Sequence, residues 1–176
     1  MVETIILRYG HRLVRDDRVT THCCLVARAF GASKIIIEGA PDKEIAGSVG
    51  AVNLKWGTGI TVEFTQNWKN ALKELKKDGF LVVHLTMYGE EVNRKIDDLR
   101  KKEKIAVVIG SQKVPCEIYA QSDYNISIGN QPHSEIAALA VFLDRLFDGK
   151  QFDRKFPGGT IEIIPNPKGK AFKEQN

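Results

Sequence analysis

The stretch KIAVVIGSQKVPCEIYAQSDYNISIGNQPHSEIAALAVFLDRLF, residues 104–147, decides the class of the fold. Its opening, IAVVIG, is an unbroken apolar run of strand length, as found in strands covered by helices on both faces. SQKVP interrupts it, a second β-rich run covers 124–128, and GNQPHS leads into a helical pattern over 134–147. Strand, loop and helix in this order point to an α/β layer structure with a largely parallel sheet.

The same alternation continues upstream. Strands are expected over 3–9, 34–38, 60–64, 80–85, 105–109 and 124–128, and helices over 17–30, 42–54, 68–77, 90–102 and 134–147. IIIEG and LVVHL repeat the doubly covered pattern. The expected fold is therefore α/β, a mostly parallel sheet flanked by helices on both faces. In the first helix, Val19, Cys23, Val26 and Phe30 form one stripe at the 3.6-residue period, Gly31 supplies the stop, and Arg28 points away from the stripe. His22, at the flank of that stripe, reads as a packing histidine. The last helix is apolar around nearly its whole circumference, from Ile136 to Phe147, so it either crosses the core or packs against a second subunit.

Past Gly149 the pattern changes, which divides the chain into a domain over 1–149 and a C-terminal extension over 150–176. Pro157, Gly158 and Gly159 make a turn, TIEII is a short strand, Pro165 and Pro167 end it, and the last residues read as frayed.

A length of 176 residues suits a single domain with a real core. No apolar run is long enough to span a membrane, and the N-terminus carries an acid where a signal peptide is basic, so the cytoplasm is the expected compartment. Three cysteines, Cys23, Cys24 and Cys116, lack CxxC spacing and argue against a disulfide framework or structural zinc. Neighbouring Cys23 and Cys24 should face different sides, one buried and one less so. The net charge of +4 is weak evidence by itself, but Arg8, His11, Arg12, Arg15 and Arg18 crowd one Gly-containing segment, the kind of cluster that binds phosphate backbones. The lysine-rich clusters at 69–77 and 100–104 read more simply as solvated helix faces.

The chain has no GxxxxGK[ST] loop, no GxGxxG after its first strand, no GxSxG elbow, and no HExxH or Cys/His ligand set, so no metal is expected. Three strand ends carry loops rich in glycine and small polar residues: HLTMYG (84–89), IGSQKVP (109–115) and SIGNQPHSE (127–135). Ligands of open α/β sheets bind at the carboxyl ends of the strands. The last loop also runs into a helix N-terminus, where amide groups and the helix dipole favour a carboxylate. These features imply a ligand cleft.

LRYGHRLVRDDRVTTHCCLVARAFGA, HLTMYG, IGSQKVP and YNISIGNQPHSEIAALAVFLDRL together resemble the archaeal tRNA cytidine(56) 2′-O-methyltransferases of the SPOUT superfamily, over residues 5–147. The resemblance implies a C-terminal trefoil knot, a rare exception to chain topology, together with a homodimer, S-adenosylmethionine as cofactor and tRNA as substrate. It assigns cofactor binding to Leu85, to Gly110, Ser111, Gln112, Lys113 and Val114, and to Ile128, Gly129, Asn130, Gln131, Pro132, His133, Ser134 and Glu135. Arg28 matches an arginine placed near the ribose hydroxyl in many knotted 2′-O-methyltransferases. Such relatives usually carry asparagine six residues earlier, where this chain has His22. A guanidinium stays protonated in proteins, so Arg28 is expected to stabilise developing alkoxide charge rather than to act as base. Arg8, His11 and Arg12 are the expected RNA contacts. The alternatives are a knotted methyltransferase acting on another RNA ribose or a base nitrogen, a non-catalytic RNA-binding module, and an α/β enzyme of small-molecule metabolism. The last leaves the arginine-rich segment unexplained.

Overall fold

The computed structural model describes residues 2–57 and 59–175. In chain order it contains β1 (Glu3–Tyr9), α1 (Asp17–Ala29), β2 (Lys34–Glu38), α2 (Lys43–Trp56), β3 (Thr61–Thr65), α3 (Trp68–Lys77) and β4 (Leu81–Glu91). There follow α4 (Val92–Leu99), β5 (Lys104–Gly110), α5 (Cys116–Gln121), β6 (Tyr124–Ser127), α6 (Glu135–Phe147), a 3-10 turn at Lys150–Asp153, β7 (Ile161–Ile164) and β8 (Ala171–Glu174). No helix among the described residues is long and apolar enough to cross a membrane.

The first six strands form one sheet in the order β3-β2-β1-β5-β4-β6, with every neighbouring pair parallel. Side chains alternate across it, as strand geometry requires. Ile6, Ile35, Ile37, Val83, Ile105 and Val107 face the layer that includes α1, α2, α4 and α6. Ile5, Leu7, Ile36, Val82, Ala106 and Val108 face α3 and α5. Burying each isoleucine, leucine or valine of these sets stabilises the fold by about 1.5–3 kcal/mol before chain entropy is counted.

Helix starts follow local chemistry. Asp42 caps α2 by accepting from the amides of Glu44 and Ile45, Asn67 caps α3 through the amide of Asn70, and Ser134 caps α6 through the amide of Ile136.

Several sequence expectations need correcting. The buried arc of α1 is Thr20, Cys23, Cys24, Ala27 and Arg28, roughly a quarter turn from the expected stripe. The helix is wedged against both α2 and α6, so a wide arc is covered and both neighbouring cysteines are buried. His22 is exposed rather than packed. Strand β4 runs on to Glu91 through an irregularity in which Leu85 and Glu90 both pair with Ile126, so the segment expected as the loop HLTMYG is extended chain. This shortens α4 at its start, and α5 was not foreseen. Helix α6 does not thread the core: Leu139, Phe142, Leu143, Leu146 and Phe147 are buried, whereas Ala137 and Val141 are exposed.

The C-terminal residues are not frayed at 171–174, where β8 pairs antiparallel with β7. The approach to this hairpin packs on the end of α2. A Cβ at Gly57 (φ +92°) would run into the backbone carbonyl of Phe156, and one at Gly159 into the amide of Gly57. Two backbones meet there at a separation that only glycine permits.

Candidate active-site cleft

The carboxyl ends of β4, β5 and β6 and the start of α6 surround an open cleft of about 720 Å³. Of the cofactor residues expected from sequence, Leu85, Gly110, Ser111, Gln112, Lys113, Val114, Ile128, Gln131, Pro132, His133, Ser134 and Glu135 line it. Gly129 and Asn130 do not. Asn130 instead donates through Nδ2 to the carbonyls of Met87 (2.8 Å) and Gly89 (3.3 Å), fastening the β6–α6 loop to β4.

Each loop is held by its own backbone and small side chains. The amide of Ser111 donates to Tyr9 O at 3.0 Å, and its hydroxyl donates to Gly10 O, which anchors the β5 loop on the end of β1. A Cβ on Gly110 would meet Val114 Cγ1 at 2.5 Å and Gln112 O at 3.0 Å, so the turn closes too tightly for a side chain. His133 donates from Nε2 to Ile128 O at 2.8 Å, closing the β6 loop on itself.

The cleft also includes His84, Thr86, Met87 and Tyr88 of the HLTMYG segment, which was expected at the cleft without residue assignments beyond Leu85, and Cys116 and Tyr119, which sequence reasoning missed. Asn125 donates from Nδ2 to Tyr119 O at 3.1 Å, which leaves its Oδ1 to accept from His84 Nδ1 at 2.9 Å. The His84 and Tyr119 rings meet edge to face, and Thr86 Oγ1 lies 3.0 Å from the Tyr119 hydroxyl. Burial pushes the His84 pKa below its ordinary value despite the bond to Asn125, so the imidazole is neutral at pH 7. Tyr119 was missed because a six-residue helix is too short to show a period.

The arginines lie to one side. Arg8 is fully buried and, among the described residues, pairs with Glu135 Oε1 at 3.5 Å. His11 is also buried, its Nδ1 2.9 Å from Thr20 Oγ1. Both are poorly placed as direct RNA contacts. Arg12 is half-buried and grips Asp16 in a two-pronged pair of 2.9 and 3.1 Å, which holds the Asp16 carboxyl below the usual range. Arg15 and Arg18 are exposed.

Arg28 stands apart from the cleft within this chain. Its Nε donates to Asn53 Oδ1 (3.1 Å), its Nη2 to the carbonyls of Trp56 (3.1 Å) and Gly57 (2.8 Å), and its guanidinium carbon sits 4.6 Å from the Phe156 ring centre. Burial, and then the nearby charge of Arg154, lower its pKa.

The family described as "tRNA ribose 2′-O-methyltransferase, aTrm56" matches residues 56–173. A tRNA (cytidine(56)-2′-O)-methyltransferase of Methanopyrus kandleri is 48% identical over 170 residues, covering 97% of this chain and 96% of its own length. The chain belongs to the aTrm56 family. Among solved structures, the TrmH/SpoU tRNA modifying enzyme of A. aeolicus shares the aTrm56 fold with a TM-score of 0.62 at 17% identity, over 88% of this chain and 79% of that one. The SpoU methyltransferase AviRb of Streptomyces viridochromogenes, solved in complex with AdoMet, matches with a TM-score of 0.57 at 14% identity. It shares 85% of this chain, which spans only 58% of the AviRb length. The aTrm56 chain thus has the sheet of the SpoU methyltransferases, with its cleft at the carboxyl ends of the strands.

Proposed function

We propose that this chain methylates the 2′-hydroxyl of cytidine 56 in tRNA, using S-adenosylmethionine held in the cleft. The observation that carries this reading is the near full-length match to a tRNA (cytidine(56)-2′-O)-methyltransferase. The residues present fit the cofactor. Leu85, Ile109, Ile128 and Ala138 give the cleft apolar wall for a flat base, while loop backbone and the Glu135 carboxylate suit polar groups and positive charge. When bound, the cofactor supplies a methyl group on a sulfonium, a good leaving group. The protein's work is then alignment of the ribose oxygen and help in losing its proton.

Arg28 is assigned the stabilisation of negative charge developing on the ribose oxygen. Since it lies outside the cleft of its own chain, this role requires the cleft of a second copy, and we propose a homodimer. The outward Ala137 and Val141 of α6, beside half-buried Ile136 and Ala140, leave an apolar strip that a second copy would cover. The cofactor loops are proposed to form a trefoil knot as in other SPOUT enzymes, and residues 150–176 to act as an extension of the 1–149 domain. RNA phosphates are assigned to Arg12, Arg15 and Arg18, and the place of action to the cytoplasm.

Unmodified tRNA incubated with methyl-labelled cofactor should gain one methyl, at the cytidine 56 ribose. Label on another nucleotide or on a base would overturn the substrate assignment. Calorimetry with S-adenosylmethionine alone separates an enzyme from a non-catalytic RNA binder, which would give no heat. Arg28→Lys should lower turnover while tRNA affinity is retained; near-full turnover would remove Arg28 from the mechanism.

A further inference from the structure

Behind the arginine-rich segment lies a polar cluster that the methyl-transfer reading does not use. His11 comes from the loop after β1, Asp17 opens α1 and Asp42 caps α2, yet one donor atom from each lies within 4.8 Å of the other two. The His11 backbone is pinned by its amide bond to Glu38 O at 2.8 Å. Its imidazole is wholly buried. Thr20 Oγ1 occupies Nδ1, which leaves Nε2 aimed into the cluster with no hydrogen-bond partner among the described residues. Nε2 stands 3.4 Å from Asp42 Oδ2, close enough for an ion pair but not oriented as a hydrogen bond.

The two carboxylates complete the arrangement. Asp42 uses Oδ1 to cap α2, so Oδ2 is its uncommitted oxygen. The Asp17 Oδ1 is buried and likewise has no hydrogen-bond partner among the described residues. Each carboxylate sits at a helix N-terminus, Asp17 as the first residue of α1 and Asp42 as the cap of α2. An ionised carboxylate offers only lone pairs, as does the Nε2 of an imidazole that donates from Nδ1. Among the described residues no lysine or arginine forms an ion pair with Asp17 or Asp42. Buried carboxylates without a counter-charge are costly.

We propose that His11, Asp17 and Asp42 bind a divalent transition-metal cation, with Zn²⁺ as the fitting probe. One imidazole nitrogen and two carboxylate oxygens suit a borderline cation such as Zn²⁺ or Mn²⁺, which those donors approach to about 2.0–2.2 Å, water completing the shell. Mg²⁺, which prefers oxygen and water, fits less well. Thr20 Oγ1 orients the ring from behind, in the place where a ligating histidine commonly holds a hydrogen-bond acceptor. The cation would tie the arginine-rich loop to the starts of α1 and α2, so it holds Arg12, Arg15 and Arg18 in place without touching the cofactor cleft.

The test uses the full chain stripped with a chelator. Calorimetry should find one equivalent of Zn²⁺ bound, and added Zn²⁺ should raise the melting temperature in a concentration-dependent way, with Mg²⁺ much weaker. Asp17→Asn should weaken Zn²⁺ binding by about tenfold or more while the metal-free melting curve is kept. A Co²⁺-loaded wild-type protein should show visible absorption without a thiolate charge-transfer band, which checks the ligand set without any variant. No one-equivalent binding, a thiolate band from Cys116, or affinity unchanged in Asp17→Asn would each overturn the proposal.

Discussion

Arg8 Nη2 lies 3.5 Å from Glu135 Oε1, joining residues 127 positions apart in sequence. A wholly buried cation on β1 thus meets the carboxylate that opens α6 and lines the cleft. Among the described residues, two other guanidinium nitrogens of Arg8, Nε and Nη1, are buried with no hydrogen-bond partner, and Glu135 is the carboxylate in ion-pair contact with Arg8.

The two ends of this pair should respond unequally to replacement. Glu135→Ala strands a buried cation and is expected to cost about 2 kcal/mol, below the full cost of a broken buried pair because Glu135 is partly exposed and the contact is long. Arg8→Met replaces the cation with an apolar chain of similar reach and should stay within about 1.5 kcal/mol of the parent. Urea denaturation of both variants measures the asymmetry; equal losses would contradict it.

Thiol chemistry offers a probe of the cleft. Burial pushes the Cys23 pKa up to about 11 and the Cys24 pKa up to about 12, whereas Cys116 is exposed and lines the cleft. Since the thiolate is the reactive form, a thiol reagent at pH 8 should modify Cys116 quickly and the other two only after denaturation. Saturating S-adenosylmethionine should slow the Cys116 reaction severalfold. Unchanged labelling would place the cofactor elsewhere.

Much of this was legible in the chain itself, for identifiable reasons. Runs such as KIIIE at 34–38 and IAVVI at 105–109 admit few alternatives to doubly covered strands, and glycine after a strand marks the loops at 110 and 129. The buried face of α1 was misread because Thr20 and Arg28 do not count as apolar, yet the covering helices α2 and α6 enclose them. The position of Arg28 beside Asn53 and Phe156 depends on where α2 and the C-terminal segment settle. His11, Asp17 and Asp42 have no metal-site spacing; β1–β2 pairing and the start of α2 bring them together.

His84 should give the fold a pH dependence just below neutrality. Its folded pKa lies below 6.5, so between that lower value and 6.5 the unfolded chain binds a proton that the folded chain refuses. Stability therefore falls as pH drops below 6.5 and is fully present above it. Asp16 acts in a separate, more acidic window: its folded pKa is below 3.8, so its contribution holds above 3.8 and is lost as pH falls through the folded value. Melting temperatures measured from pH 7.5 down to 5 should decline, and His84→Gln should flatten that decline. An unchanged slope in the variant would assign it to another group.

Gly110→Ala separates loop closure from overall stability. The added methyl would press on Val114 Cγ1 and on the carbonyl of Gln112, and the carbonyl cannot yield without moving the loop. Gly110 is half-buried at the end of β5, where its pairing with Tyr9 ends the ladder, so the sheet behind it can stay intact while the turn opens. The expected result is about a tenfold or larger loss of S-adenosylmethionine affinity, the effect of about 1.4 kcal/mol in binding, with a melting temperature only a few degrees lower. Calorimetric titration and thermal unfolding of the same sample decide it, since a fold-wide defect would instead depress the melting temperature steeply and weaken cofactor binding only in proportion to the unfolded fraction.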